Sequence, residues 1–411
     1  MSLKPFRKKL FAAAGYNTTY FGPGRREFDP KQAMPPFESY LKESADGTLG
    51  QIPRPKFDEG IIGSFMSGQF LKQGNLPGFL PFMVPSLLKK PCTGIEGACG
   101  TGGRCIAAAA ASVLSDQAEA VFVAAFEIQN TLKSVYGADV LAAAGYYRKE
   151  RKKGYAFFFP GVFSDRAEAY SKRWGADKTR QAMAKWYEQS ILNARKNPKA
   201  QEYHNRSERL FSLGMTPPDP ESFLPYLNLY DCSKISDGAS SIVIASERGL
   251  ETLGIPREEA VELVAISGAE GDITKEPEDP AFLDTTREAV SKALSQAGIS
   301  LGEIAFVELH DCFTITALLS LEAIGAVEPG GGSEFILQEE TRPGGSLPAN
   351  LSGGLIGFGH PTGASGVRQL VDLHSQFIGK AAHQLELKKE FAMLVSMGGN
   401  DKTVTSVIAR K

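Results

Sequence analysis

The chain has 411 residues, 42% of them hydrophobic and 22% charged, with a formal net charge of −2. That length allows roughly two or three domains around a sizeable core, and the near-neutral balance gives no field that would recruit nucleic acid. Five cysteines without a Cys-x-x-Cys pair, and histidines away from zinc spacings, argue against a disulfide framework or structural metal and for a reducing compartment.

In chain order, the first 26 residues carry six Lys or Arg and no Asp or Glu, the charge pattern of a transit peptide. Residues 10–15 inside them read instead as a first core strand, which a removable leader would not contain. Cytoplasm is the expected location, with the mitochondrial matrix as the alternative. Strands are expected over residues 9–15, 60–65, 92–97, 120–126 and 240–246, then over 261–268, 304–309, 391–397 and 403–409. Helices are expected over 103–114, 283–297, 314–325 and 364–379. The apolar runs at 107–114 and 121–128 fall short of the roughly 18–20 residues of a membrane span.

Short apolar strands alternating with helices indicate an α/β layered fold. The last two strands of each half are apolar on both sides, which calls for helices over both faces of the sheet. Residues 103–111 are apolar almost all round apart from Arg104, so this helix is expected at the centre of the molecule. Its start, with unpaired N–H groups and a positive dipole end, then lies beside Cys99. Cys99-Gly100-Thr101-Gly102 and His360-Pro361-Thr362-Gly363 each open a helix after a glycine-rich approach, a weak sign of duplication. Between about 130 and 225 the pattern changes to a basic, aromatic run (Tyr146 to Lys153), Phe157-Phe158-Phe159-Pro160, helical pieces at 164–174 and 179–197, and a proline-rich stretch. This reads as an inserted subdomain.

Three segments carry chemistry. Cys99, among glycines at 97, 100, 102 and 103, is placed as a nucleophile would be, and a helix start is expected to lower its pKa. His310 follows strand-like residues, at the strand end where open α/β sheets place their sites, and Cys312 could move a proton to or from a substrate carbon. His360 ends a long glycine-rich loop that is a near miss to a dinucleotide-binding turn but lacks the preceding strand; it suits donation to an oxyanion. Taken singly, each has a packing alternative: an inert buried cysteine or a core histidine.

Taken together, Gly97-Ala98-Cys99-Gly100-Thr101-Gly102, Ser236-Asp237-Gly238-Ala239-Ser240, His310-Asp311-Cys312-Phe313 and Gly359-His360-Pro361 with Gly363 resemble the thiolase superfamily, and its sterol-carrier-protein type most closely. The resemblance implies a duplicated five-layered αβαβα core with an inserted loop domain: residues 1–129 and 226–256 as one half, 130–225 as the insert, 257–411 as the other half. It implies an acyltransferase that cleaves 3-oxoacyl-CoA with coenzyme A, or condenses acyl-CoA with acetyl-CoA, with acyl-CoA as substrate, no tightly bound cofactor, and a homodimeric assembly. Cys99 would carry the acyl group, His360 would activate it, and His310 with His360 would bind the enolate oxygen. Cys312 would exchange the α-proton, and the N–H groups of Cys99 and Gly398 would hold the second oxyanion. Ser396-Met397-Gly398 stands where most thiolases have Cys-x-Gly, in keeping with an acid/base at Cys312.

Two departures stand out: Glu96 just before the nucleophile, expected to raise its pKa, and the polar tail Gly399-Asn400-Asp401-Lys402. The basic run at 148–153 is a candidate for the CoA phosphates. Two alternatives remain: a thiolase-like subunit acting on non-CoA ketones within a complex, and a non-catalytic acyl-CoA or lipid binder on the same scaffold.

Overall fold

The computed structural model describes residues 5–221 and 223–411. Among these, nine strands form the sheet: β1 (Phe11–Asn17), β2 (Glu59–Gly63), β3 (Cys92–Ile95), β4 (Ala120–Glu127), β5 (Gly238–Ala245), β6 (Ala260–Glu270), β7 (Ile304–Glu308), β8 (Phe391–Gly398) and β9 (Thr403–Arg410). Their order is β3-β2-β4-β5-β1-β6-β9-β8-β7. Within the first half β2, β3 and β4 are parallel and β5 and β1 alternate; in the second, β7 and β8 are parallel and β9 is antiparallel. The halves join at β1 and β6 through three facing pairs, Phe11 with Glu262, Ala12 with Val261 and Ala13 with Ala260.

Side-chain alternation sets the layers. Along β4, Val121, Val123 and Ala125 face the centre while Phe122, Ala124 and Phe126 face outward, and all are buried. Along β8, Ala392 and Leu394 face the centre, and Met393, Val395 and Met397 face the other way. The central layer is α2 (Thr101–Leu114) and α8 (Ser365–Phe377), whose Ile106, Ala109, Val367 and Leu370 share one cluster with residues of both sheet halves. Outside the first half lies α1 (Phe37–Leu49), with Tyr40, Leu41 and Ala45 on the sheet. Outside the second lie α6 (Asp284–Ala297) and α7 (Thr314–Ala323). These are the five αβαβα layers.

Between β4 and β5 the described residues form no strand. They include α3 (Ser134–Leu141), α4 (Phe158–Trp174) and α5 (Ala176–Ala194). Phe163, Tyr170, Met183 and Trp186 of α4 and α5 bury against Phe313 and Leu318 of the second half. This segment follows β4 in sequence, and it packs on the second half through these residues and on Phe65 and Ala98 of the first through Ala144, forming a roof over both. Buried Arg166 fixes that roof, donating to Pro280 O (2.9 Å), Phe282 O (2.7 Å) and Asn400 Oδ1 (2.6 Å). The polar tail has a structural cause. Leu283 cannot cap α6, and the Asp401 carboxylate does so instead, accepting from the N–H groups of Thr285 and Thr286, both at 2.9 Å.

Candidate active site

Cys99 lies in a single 3₁₀ turn, Ala98–Gly100, directly before α2. Ala98 has φ +52°, a left-handed conformation that costs a non-glycine residue about 1–3 kcal/mol. Its neighbours hold it there. The Glu96 carboxylate accepts the Ala98 N–H at 2.6 Å; Thr101 Oγ1 accepts the Gly97 N–H at 2.9 Å and donates to Ala98 O at 2.7 Å. Gly102 is required by close approach: a Cβ there would stand 2.6 Å from the Val367 backbone nitrogen, because α2 and α8 meet at their starts.

His310 and Cys312 follow β7 in a turn pinned from two sides. Asn350 accepts the Leu309 N–H (2.7 Å) and donates to Leu309 O (3.1 Å). The buried Asp311 carboxylate accepts from Leu355 N–H (2.7 Å) and Trp186 Nε1 (3.0 Å), and burial pushes its pKa up to about 6. His360 is reached through Gly359, at φ +119°, where a Cβ would press on Gln201 Oε1 at 2.9 Å. The His360 N–H donates to Ser236 Oγ at 2.9 Å, and Ser236 donates onward to Gln201 Oε1 at 2.5 Å. Asp237 accepts the N–H groups of Gln129 (2.6 Å) and Asn130 (2.9 Å). The Ser236-Asp237 pair thus seats the histidine loop and the end of β4 side by side.

These pieces converge. One cavity of about 530 Å³ is lined by Cys99, His310, Cys312, His360 and Gly398, every residue singled out from the sequence as chemical. Cys232, which sequence inspection passed over, lines it as well, its backbone bridged to Phe313. Ser396 is turned away, its Oγ 2.7 Å from where a Gly366 Cβ would stand in the central layer. The His310 and His360 rings lie 5.1 Å apart at 85°.

The electrostatics correct one expectation. Burial outweighs the helix start and raises the Cys99 pKa to about 12, with the Glu127 carboxylate adding to the effect, the Cys99 N–H at the turn opposing it, and Glu96 contributing least. Burial likewise raises Cys312, and Cys99 itself is the next cause. Burial lowers His310 to about 3, helped by Arg368, and lowers His360 well below its ordinary value, helped by His310 and Arg368. Two neutral thiols therefore face two neutral imidazoles.

The imidazoles carry opposite tautomers. His310 Nδ1 accepts the Met397 N–H at 3.3 Å, so its proton sits on Nε2. His360 Nδ1 is 2.7 Å from Ser365 Oγ, and Ser365 donates its own proton to Pro361 O at 3.2 Å. Nδ1 is then the donor, and Nε2 keeps a lone pair, buried and without a hydrogen-bond partner among the described residues. One ring presents a donor and the other a base.

Behind the site lies a buried carboxylate that sequence inspection missed, Glu127. Ending the all-apolar β4, it accepts from Ser64 Oγ, Phe65 N–H and Met66 N–H on one side and Thr362 Oγ1 and Gly363 N–H on the other, at 2.7–3.2 Å. It ties the His360 loop to the first half of the sheet. The basic run is largely engaged: Lys149 and Lys153 pair with Glu276, and Arg151 with Asp139.

Comparison with known proteins adds the following. Residues 268–411 match the family described as "Thiolase C-terminal domain-like". An acetyl-CoA acetyltransferase of Methanothermobacter thermautotrophicus is 29% identical over 375 residues, 89% of this chain and 92% of that one. The benzoylsuccinyl-CoA thiolase subunit BbsB of Thauera aromatica is 26% identical over 94% of both. Human sterol carrier protein 2 is 34% identical over 161 residues, 38% of this chain and 29% of that protein. Among solved structures, the Ltp2-ChsH2(DUF35) aldolase shares the fold with TM-score 0.77, at 17% identity over 98% of this chain and 97% of its own.

Proposed function

Because the chain belongs to the thiolase superfamily, and to its sterol-carrier-protein type, we propose that it is a CoA-dependent acyltransferase that cleaves 3-oxoacyl-CoA by thiolysis, or runs the reverse condensation, through an acyl-Cys99 intermediate. One observation carries this reading: two thiols and two oppositely protonated imidazoles, from segments far apart in sequence, line one cavity.

The chemistry follows from the protonation states. His360 Nε2 takes the Cys99 proton as the sulfur attacks the 3-oxo carbonyl carbon, so no free thiolate is needed beforehand. The N–H groups of Cys99 and Gly398 receive the oxyanion of that adduct. Breaking the C2–C3 bond leaves its electron pair on the enolate of acetyl-CoA, whose thioester oxygen takes the His310 Nε2 proton as a hydrogen bond. Cys312 then protonates C2. A second CoA thiol gives its proton to the Cys312 thiolate as it attacks the acyl group of Cys99, and the departing Cys99 sulfur takes its proton back from His360 as acyl-CoA is released. A thiolysis assay across 3-oxoacyl-CoA substrates tests this; activity lost in Cys99→Ala is expected, and activity retained there contradicts it.

The exposed edge strand β3, flanked by exposed Phe82 and Leu88, supports a homodimer formed along that edge. Light scattering at micromolar concentration tests it, a monomer being the contrary result. A second reading, a subunit that needs a partner chain, is favoured by the mouth of the cavity. Among the described residues the one cation that lines it, Lys234, is engaged by Glu202, leaving little positive charge for CoA phosphates. Activity that appears only on adding a co-purifying chain would favour it.

A further inference from the structure

The walls of the cavity say what kind of acyl group it takes. Phe157, Phe159, Phe163 and Phe223 from the insertion and Phe313 from the core line it together. Three of these rings stack in a near-parallel ladder. Phe159 and Phe163 have centroids 6.3 Å apart at 25°, and Phe163 and Phe313 4.5 Å apart at 23°. Phe157 and Phe223 form a second pair, 6.1 Å apart at 57°. The ladder begins at the residue after Cys312, so it starts beside the chemistry. Phe157, Phe159 and Phe223 are only partly covered by protein, and the cavity is what their free surfaces meet.

Volume and shape point the same way. About 530 Å³ falls within the roughly 300–1,000 Å³ that encloses drug-sized ligands, more than an acetoacetyl group fills. A flexible alkyl chain would gain from burial alone and would be served equally well by Leu, Val and Met. A flat ring gains in addition from offset or edge-to-face contact with each phenylalanine, roughly two- to tenfold per ring pair over equal apolar area. Partly free phenylalanine rings on one cavity thus offer a flat ring more than they offer an alkyl chain of similar hydrophobicity.

We propose that this cavity selects 3-oxoacyl thioesters whose acyl group carries an aromatic or other planar apolar ring, with the partly free rings of Phe157, Phe159 and Phe223 as the contact wall and Phe163 and Phe313 stacked behind Phe159 to hold it. This deepens the acyltransferase reading and rests on it. The pantetheine arm is common to all CoA thioesters, so a comparison among them isolates the acyl group. Kinetics of thiolysis with 3-oxo-3-phenylpropionyl-CoA, 3-oxohexanoyl-CoA and acetoacetyl-CoA are the test. A kcat/KM at least tenfold higher for the phenyl substrate is expected, with Phe159→Leu and Phe159→Ala both shrinking that ratio at least threefold. Equal or lower values for the phenyl substrate, or a ratio unmoved in both variants, overturn the ring preference while leaving the thiolase reading intact. Calorimetric binding of benzoyl-CoA and hexanoyl-CoA to the Cys99→Ala protein reads the preference without catalysis. Tenfold tighter binding of benzoyl-CoA supports it even if no thiolysis occurs, an outcome that would sink only the thiolase reading; equal binding overturns it.

Discussion

His310 and His360 stand edge to face across the cavity, rings 5.1 Å apart, each held by a different kind of partner on its far nitrogen. A backbone N–H donates to one; a hydroxyl accepts from the other. Identical side chains are thereby given opposite tasks. Neither gains from being charged in this buried pair, which is why both pKa values are depressed.

Ser365 follows as a positioning residue. Ser365→Ala removes the acceptor that keeps the His360 proton on Nδ1, so the tautomer with the proton on Nε2 becomes populated. We expect kcat to fall about tenfold or more with KM little changed, and Ser365→Thr, which keeps the hydroxyl, to restore most of it. A loss carried by KM, or no rescue by threonine, would contradict this role.

The raised Cys99 pKa has its own signature. Alkylation requires thiolate, so well below a pKa of about 12 the iodoacetamide rate at Cys99 should rise about tenfold per pH unit between pH 7 and 10. A rate already level near neutral pH would mean that the helix start outweighs burial after all.

Asp237 makes a stability prediction. It is fully buried, and burial lifts its carboxyl from 3.8 to about 6. The folded protein then holds this proton more tightly than the unfolded chain does. The contribution is fully present below pH 3.8 and is lost as pH rises through 6. Asp237→Asn has nothing to lose there. Denaturant unfolding should show the variant gaining about 2–3 kcal/mol on the wild type between pH 4 and pH 7. A difference independent of pH would contradict the assignment.

All nine strands were legible because their apolar residues alternate or fill both faces, as in Ala120–Glu127 and Phe391–Gly398. The site residues were legible because glycines and short turns mark them. What escaped had physical reasons. Helix Phe37–Leu49 buries Ser44 and Thr48, which bond to Ser241, so its inner face does not read as apolar. The helix expected from 164 begins at Phe158, because Pro160 falls in its first turn, where proline costs no hydrogen bond. Glu127 lies one residue past the strand expected over 120–126, and only the folded chain brings Ser64 and Gly363 to it. The Cys99 pKa could not be read locally, since the burial that sets it comes from both halves and the insertion.

The most direct test of the central claim is mass analysis of the intact protein and its peptides after incubation with acetyl-CoA. An acetyl group on Cys99 in the wild type and in Cys312→Ala, and none in Cys99→Ala, is the expected result. No mass gain, or acetylation at Cys312 or Cys232 while Cys99 stays free, would contradict a nucleophilic Cys99 and the account built on it.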